Sequence, residues 1–182
     1  FALIRALALW RGNLYASVYV PNPPRGPSYA YLGEWDGSQW TLLPSPSGVP
    51  ASSLLAWGGH LFFGSAGVQV WDGAQWSGIG SGIQAQPGSV GAMTVVNGRL
   101  YLGGNFDIAG DKVSSFAAMA DIRPTLTIAP NGSNLALIWD DSSFVLQSAT
   151  NVAGPFADEL EAASPYTNDS SAGQKFFRLR QP

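Results

Sequence analysis

The side chains in this sequence that could do chemistry are few, and their types and spacing rule out most reactions. His60 is the single histidine and cysteine is absent. The imidazole set of a typical catalytic zinc site, a thiolate ligand and a thiol nucleophile are therefore all missing. Beside Gly58-Gly59, His60 reads as a polar residue of a solvated turn. No serine stands in the Gly-x-Ser-x-Gly spacing of a nucleophile elbow. Gly78-Ile79-Gly80-Ser81-Gly82 has the glycines of a phosphate loop but no helix after them, so it reads as a turn between units. Paired carboxylates could hydrolyse a glycosidic bond across a groove. However, Asp36 and Asp72 hold equivalent places in two copies of one turn, where a short carboxylate accepts hydrogen bonds from backbone amides. Asp107 and Asp111 bracket Ala109-Gly110 and are the candidate Ca²⁺ ligands, through side-chain and carbonyl oxygens, although their spacing is not that of an EF-hand. As acids of a solvated loop they need no metal, and Asp140-Asp141 reads as turn punctuation. No catalytic residue and no cofactor is expected. Among the aromatics, Trp10 and Trp57, each beside a hairpin tip, are the candidates for stacking on a sugar face or a partner.

The elements that must position these residues repeat. Trp35-Asp36-Gly37-Ser38-Gln39-Trp40 returns as Trp71-Asp72-Gly73-Ala74-Gln75-Trp76, 36 residues on. Each copy lies between apolar, β-prone residues and reads as a hairpin closed by facing tryptophans, a pairing that stabilises sheets by roughly 0.2–1 kcal/mol. Packing inside or between units is the expected role of Trp35, Trp40, Trp71 and Trp76. A second repeated element precedes each turn. Leu7-Ala8-Leu9-Trp10-Arg11-Gly12-Asn13-Leu14-Tyr15 aligns with Leu54-Leu55-Ala56-Trp57-Gly58-Gly59-His60-Leu61-Phe62 and with Met93-Thr94-Val95-Val96-Asn97-Gly98-Arg99-Leu100-Tyr101. Gly12, Gly59 and Gly98 recur 47 and 39 residues apart. Asn97-Gly98 favours a two-residue type I′ turn, in which both central residues need positive φ. The longer first interval holds the proline-rich stretch 20–28, which reads as a loop insertion. A period near 40 with two hairpins per unit is the pattern of a four-stranded propeller blade.

At these residues a family resemblance emerges. Gly103-Gly104-Asn105-Phe106, then Ala109-Gly110, then Phe116-Ala117-Ala118-Met119-Ala120-Asp121, resembles a kelch-like β-propeller repeat common in bacterial secreted proteins. In that family a Gly-Gly-x-Phe-x-x-Ala-Gly segment precedes a strand that ends in Trp-Asp-Gly-x-x-Trp. Here the third copy has Met119-Ala120-Asp121 where the tryptophan turn belongs, and the second offers only Gly64-Ser65-Ala66-Gly67 for the glycine loop. The resemblance covers about residues 1–121 and implies a fold, with no shared catalytic residues. Three copies fall short of the four to eight blades at which propellers typically close, so further blades are expected upstream of Phe1.

After Asp121 the repeat signals stop and Arg123-Pro124 punctuates. Apolar residues then alternate at Leu126 and Ile128, at Leu135, Leu137 and Trp139, at Phe144 and Leu146, and at Phe177 and Leu179. Such period-two runs between turn clusters predict half-buried strands of a small sandwich. The segment from Phe144 to Asn151, with Phe176-Phe177-Arg178-Leu179, resembles the C-terminal immunoglobulin-like or fibronectin-like module of many secreted bacterial proteins. Asn131-Gly132-Ser133 and Asn168-Asp169-Ser170 match the glycosylation sequon, but the bacterial resemblance argues against modification.

Composition agrees with many short strands and tight turns. The 182 residues are 46% hydrophobic and only 12% charged, with 22 glycines, 13 prolines and 7 tryptophans, against a usual charged share of about 25%. A net charge of −3 without a basic run argues against a nucleic-acid surface, and no apolar run is long enough to span a bilayer. The expectation is an all-β chain: a partial β-propeller of about three four-stranded blades over residues 1–121, then a small β-sandwich over 122–182. Its expected function is non-catalytic binding of a protein or glycan, outside the cell or on its surface. The alternative is a piece of a carbohydrate-active propeller enzyme whose catalytic residues lie upstream.

Overall fold

A computed structural model of the chain describes residues 1–21, 26–79, 82–84, 88–169 and 173–181. The expected insertion at 20–28, the turn at 78–82 and the second sequon fall partly outside the described residues. Among those described there is no helix, every strand pairing is antiparallel, and no sheet closes on itself. The chain divides into two compact units, Phe1–Ile122 and Arg123–Pro182.

The first unit begins with two four-stranded meanders. β1 (Leu3–Trp10), β2 (Asn13–Val20), β3 (Tyr29–Trp35) and β4 (Trp40–Pro44) pair in chain order. So do β5 (Ser53–Trp57), β6 (His60–Gly64), β7 (Val68–Trp71) and β8 (Trp76–Gly78). After them come β9 (Ile83–Gln84), β10 (Ser89–Val96), β11 (Arg99–Asn105), β12 (Ile108–Ala109), β13 (Lys112–Val113) and β14 (Ala117–Asp121). β10, β11 and β14 form a third sheet, while β13, β12 and β9 make a small separate one. Four strands were expected in the third sheet, and it has three. Without a tryptophan turn after Asp121 no hairpin folds a fourth strand back; instead the Ile122 amide donates to the Gly98 carbonyl at 3.0 Å.

Local chemistry explains the turns. The central residues of the three short hairpins all have positive φ: 49° and 84° at Arg11-Gly12, 57° and 71° at Gly58-Gly59, and 52° and 70° at Asn97-Gly98. These are type I′ conformations, whose twist matches that of the flanking strands. In the two tryptophan turns the rings of Trp35 and Trp40 lie 5.5 Å apart and those of Trp71 and Trp76 5.0 Å apart. The aspartate after the leading tryptophan closes each loop from inside. Asp36 Oδ1 accepts from the amides of Ser38 (2.7 Å) and Gln39 (2.8 Å); Asp72 Oδ1 accepts from those of Ala74 (2.7 Å) and Gln75 (2.8 Å).

Packing then turns three sheets into a stack. Trp10, Tyr15 and Leu32 of the first sheet meet Leu61 of the second in one buried cluster. Phe62 and Val68 of the second sheet meet Val90, Leu100, Leu102 and Phe106 in another. Leu61 and Phe62 are consecutive on β6, so alternation points them to opposite faces, and both faces are buried. β1 lies against β5 and β5 against β10. Hydrogen bonds reinforce the packing: the Ala51 amide donates to Ser17 Oγ at 2.8 Å, and the Val90 amide to the Ser65 carbonyl at 2.7 Å. The Arg11 guanidinium reaches both tips of the second sheet, donating to the carbonyls of Gly59 at 3.1 Å and Asp72 at 3.0 Å. It does so while lying over the Trp10 ring, 4.4 Å from its centroid.

The second unit contains β15 (Leu126–Asn131), β16 (Asn134–Trp139), β17 (Val145–Ala149), β18 (Ala157–Asp158), β19 (Tyr166–Asp169) and β20 (Phe176–Arg180). They form two three-stranded sheets, β15-β16-β19 and β18-β17-β20. Leu137 and Trp139 from one and Leu146 from the other share a core, with Leu126, Tyr166, Phe177 and Leu179 packed against it. Ile128, expected to face inward with Leu126, is exposed. Glu159 ties strands together: its carboxylate accepts from Ser148 Oγ (2.5 Å) and Tyr166 Oη (3.2 Å) and pairs with Lys175 Nζ (3.2 Å).

Candidate functional site

One face of the first sheet points away from the second and carries a row of exposed apolar side chains. Cross-strand partners in register share a face, so the rows can be read directly. Leu9 pairs with Leu14, Leu14 with Trp35 and Trp35 with Trp40; Leu7 pairs with Ala16, Ala16 with Gly33 and Gly33 with Leu42. Ile4, Val18 and Tyr31 make a third row. Strict alternation would put Ile4 and Leu7 on opposite faces. A register shift between Ile4 and Ala6 re-aims the strand, as bulges do, and brings Ile4 onto the same face.

The rows carry no charged residue, and much of their surface is open. Ile4 is 55% exposed, Leu7 56%, Leu9 72%, Trp40 50% and Leu42 63%. Isolated exposed apolar residues are ordinary, but a contiguous patch marks an interaction surface. Ala2, Ile4, Val18, Tyr31, Trp40 and Leu42 line a hollow of about 330 Å³ on this face. Gly33 shapes it. A Cβ there would come within 3.0 Å of Trp40 Cε3, so the missing side chain lets the indole lie close over β3.

The residues singled out from sequence lie elsewhere. Trp10 is 6% exposed and buried in the core between the first and second sheets, where Tyr15 packs edge-on at 5.3 Å. The exposed ring expected there is absent because the next sheet covers it. Trp57 is half-buried and packs against the core between the second and third sheets. Asp107 and Asp111 are both exposed, and the Asp107 carbonyl accepts from the Ser114 amide at 2.8 Å. Among the described residues no group of three or more His, Cys, Asp and Glu is arranged to hold a metal ion, so these two acids belong to no such group. His60 Nδ1 lies 2.6 Å from the Gly58 carbonyl. Trp76 packs between sheets as expected, whereas its counterpart Trp40 is half open.

Electrostatics around the turns are structural. The Asp36 carboxyl is held below the usual range, first by the Gln39 amide and then by the Ser38 hydroxyl and amide. Asp72 is lowered likewise, first by Gln75 and then by Ala74. Burial, and then the bond it donates to Glu34 Oε1 at 2.6 Å, push the Tyr15 phenol well above its ordinary value.

No protein-family model matches this chain, and no curated protein or solved structure matches it. Among the described residues no helix is long and apolar enough to cross a membrane, a statement that does not extend to β-barrels.

Proposed function

We propose that this chain is a non-catalytic binding protein, built on a partial β-propeller with a β-sandwich after it, and that it engages a protein partner. The observation that carries the reading is the open, uncharged face formed by Ile4, Leu7, Leu9, Trp40 and Leu42. Water-exposed apolar surface of this kind gains about 25 cal/mol for each Å² covered, and a protein sheet of matching shape covers it. The meander order of the sheets, the contacts of β1 with β5 and of β5 with β10, and the kelch-like sequence segments support the propeller. The same resemblance carries the proposal that the protein works outside the cell or on its surface.

The test is a photo-crosslinking amino acid placed at Leu42, with Thr41 on the opposite side of the same strand as control, in cells that make the protein. Protein adducts from position 42 and not from 41 are expected. Equal adducts from both sites, or none, would remove the open face as the binding surface.

A further inference from the structure

We infer that the second unit holds a receiving site for a single carboxylate, the acidic side chain of a partner protein, centred on the Arg178 guanidinium. The site does not rest on the open face of the first unit.

The sheet topology builds it. Asp158 of β18, Gln147 of β17 and Arg178 of β20 stand in register across three strands, so they share one face. Leu146 and Leu179, their chain neighbours on β17 and β20, belong to the core, so alternation turns the row to the outer face. There the side chains bond in series. Gln147 Nε2 donates to Asp158 Oδ1 at 2.6 Å, and Gln147 Oε1 accepts from Arg178 Nε at 2.8 Å. Gln147 is only 6% exposed although it lies on the outer face, and its amide is fixed at both ends. The Arg178 guanidinium carbon sits 4.1 Å from the centroid of the Phe156 ring. A planar cation held at Nε and stacked on a ring has little freedom left, and a donor fixed beforehand loses less entropy when it binds.

What is unused on Arg178 defines the ligand. The residue is exposed, and among the described residues neither Nη atom has a hydrogen-bond or ion-pair partner. With Nε engaged, the two Nη groups offer the end of the fork, whose parallel N–H bonds match the two oxygens of a carboxylate.

Charge and shape narrow the choice. Asp158 is answered by Arg180, whose Nη2 lies 2.8 Å from Oδ2 and whose Nε lies 3.4 Å from Oδ1. The bonds from Arg180, and then the one from Gln147, hold the Asp158 carboxyl below the usual range. Arg180 is thereby taken, and a doubly charged phosphate at Arg178 would bring its second charge towards Asp158 without a second cation to meet it. A sugar acid would gain from an aromatic face for its ring, and Phe156 offers little of one. That ring is half-buried, carries the guanidinium, and has Gly154 so near that a Cβ there would come within 3.3 Å of Cδ2. An acidic side chain asks only for the fork.

The experiment is NMR of the full, nitrogen-labelled chain, titrated with the peptide acetyl-Gly-Glu-Gly-amide at constant ionic strength, which keeps the screening of surface charge unchanged. The Arg178 Nε–H signal is expected to follow a saturating curve with a midpoint of about 10 mM, as one charge-assisted contact gives. The Arg180 signal stays in place, and acetyl-Gly-Gln-Gly-amide moves neither. Glucuronate and inorganic phosphate are expected to bind no more tightly than the Glu peptide. Arg178→Lys keeps the charge but loses the fork, and losing one of two hydrogen bonds should weaken binding about tenfold. That loss is read at the backbone amides of Gln147 and Phe156. An unchanged far-UV spectrum shows that the variant is folded, and where it is not, the wild-type titration decides.

No saturation at Arg178, an equal response at Arg180, or a Gln peptide that binds as well would overturn the site. Tighter binding of glucuronate would assign it to an acidic glycan, and tighter binding of phosphate to a phosphate group; either overturns the proposal. So does an Arg178→Lys variant that binds as tightly as the wild type.

Discussion

Leu14, Leu61 and Leu100 hold one position in three copies of the repeat, and the structure assigns them different costs of truncation. Leu61 and Leu100 are fully buried between sheets, whereas Leu14 lies on the open face and is partly exposed. Leu→Ala at fully buried sites costs about 2.7–5.0 kcal/mol, the lost transfer energy plus a penalty for the cavity left behind. Leu61→Ala should therefore cost about 3 kcal/mol or more, about two orders of magnitude in the folding equilibrium. Leu100→Ala should cost the same. At Leu14 part of the side chain already meets water and no second sheet encloses a cavity, so about 1 kcal/mol is expected. The assay is urea unfolding followed by tryptophan fluorescence, which reports mainly on the first unit because Trp139 alone lies outside it. At low protein concentration the order should be Leu61 and Leu100 well above Leu14. Equal costs at all three sites in dilute solution would refute the description of one open and two covered faces.

Other expectations follow from single contacts. Arg11→Ala removes two hydrogen bonds to tip carbonyls and the contact over Trp10, and should lower stability by about 1 kcal/mol; Arg11→Lys, which lacks the planar fork, should recover little of it. Gly64→Ala drives a Cβ into Ser53 Oγ and to within 3.0 Å of the Val90 carbonyl, so a loss of about 1–3 kcal/mol from overpacking is expected in the same urea assay. The Asp36 and Asp72 carboxyls are lowered in the folded state. Their contribution is thus complete above the ordinary carboxylate range and is lost as pH falls through the lowered values. Melting temperature measured against pH should show a steeper acid limb in the wild type than in Asp36→Ala/Asp72→Ala, with the curves parallel at neutral pH and above.

The sequence disclosed what depends on local chemistry. Paired positive-φ residues at Asn97-Gly98, and facing tryptophans around Asp-Gly, specify their turns within a few residues, and period-two runs specify the strands between them. It concealed which side of each sheet is covered, because that depends on what lies in front. Trp10 and Trp40 illustrate both errors. Each stands next to a turn, yet Trp10 lies under the second sheet while Trp40 has nothing comparable over it. The bulge between Ile4 and Ala6 was also hidden, since Arg5, where the shift falls, reads equally well as a solvent-facing residue of a regular strand. Only the repeat alignment could have revealed the open face: Leu61 and Leu100 imply what should lie over Leu14.

Neighbour-only packing has a consequence for how such a chain can change in length. The middle sheet is held on two sides through Leu61 and Phe62, which sit back to back on one strand. A disturbance there strikes two boundaries at once, while gain or loss of a whole terminal module touches only one. Growth and trimming are therefore cheapest in entire sheets, because each sheet meets only its neighbours.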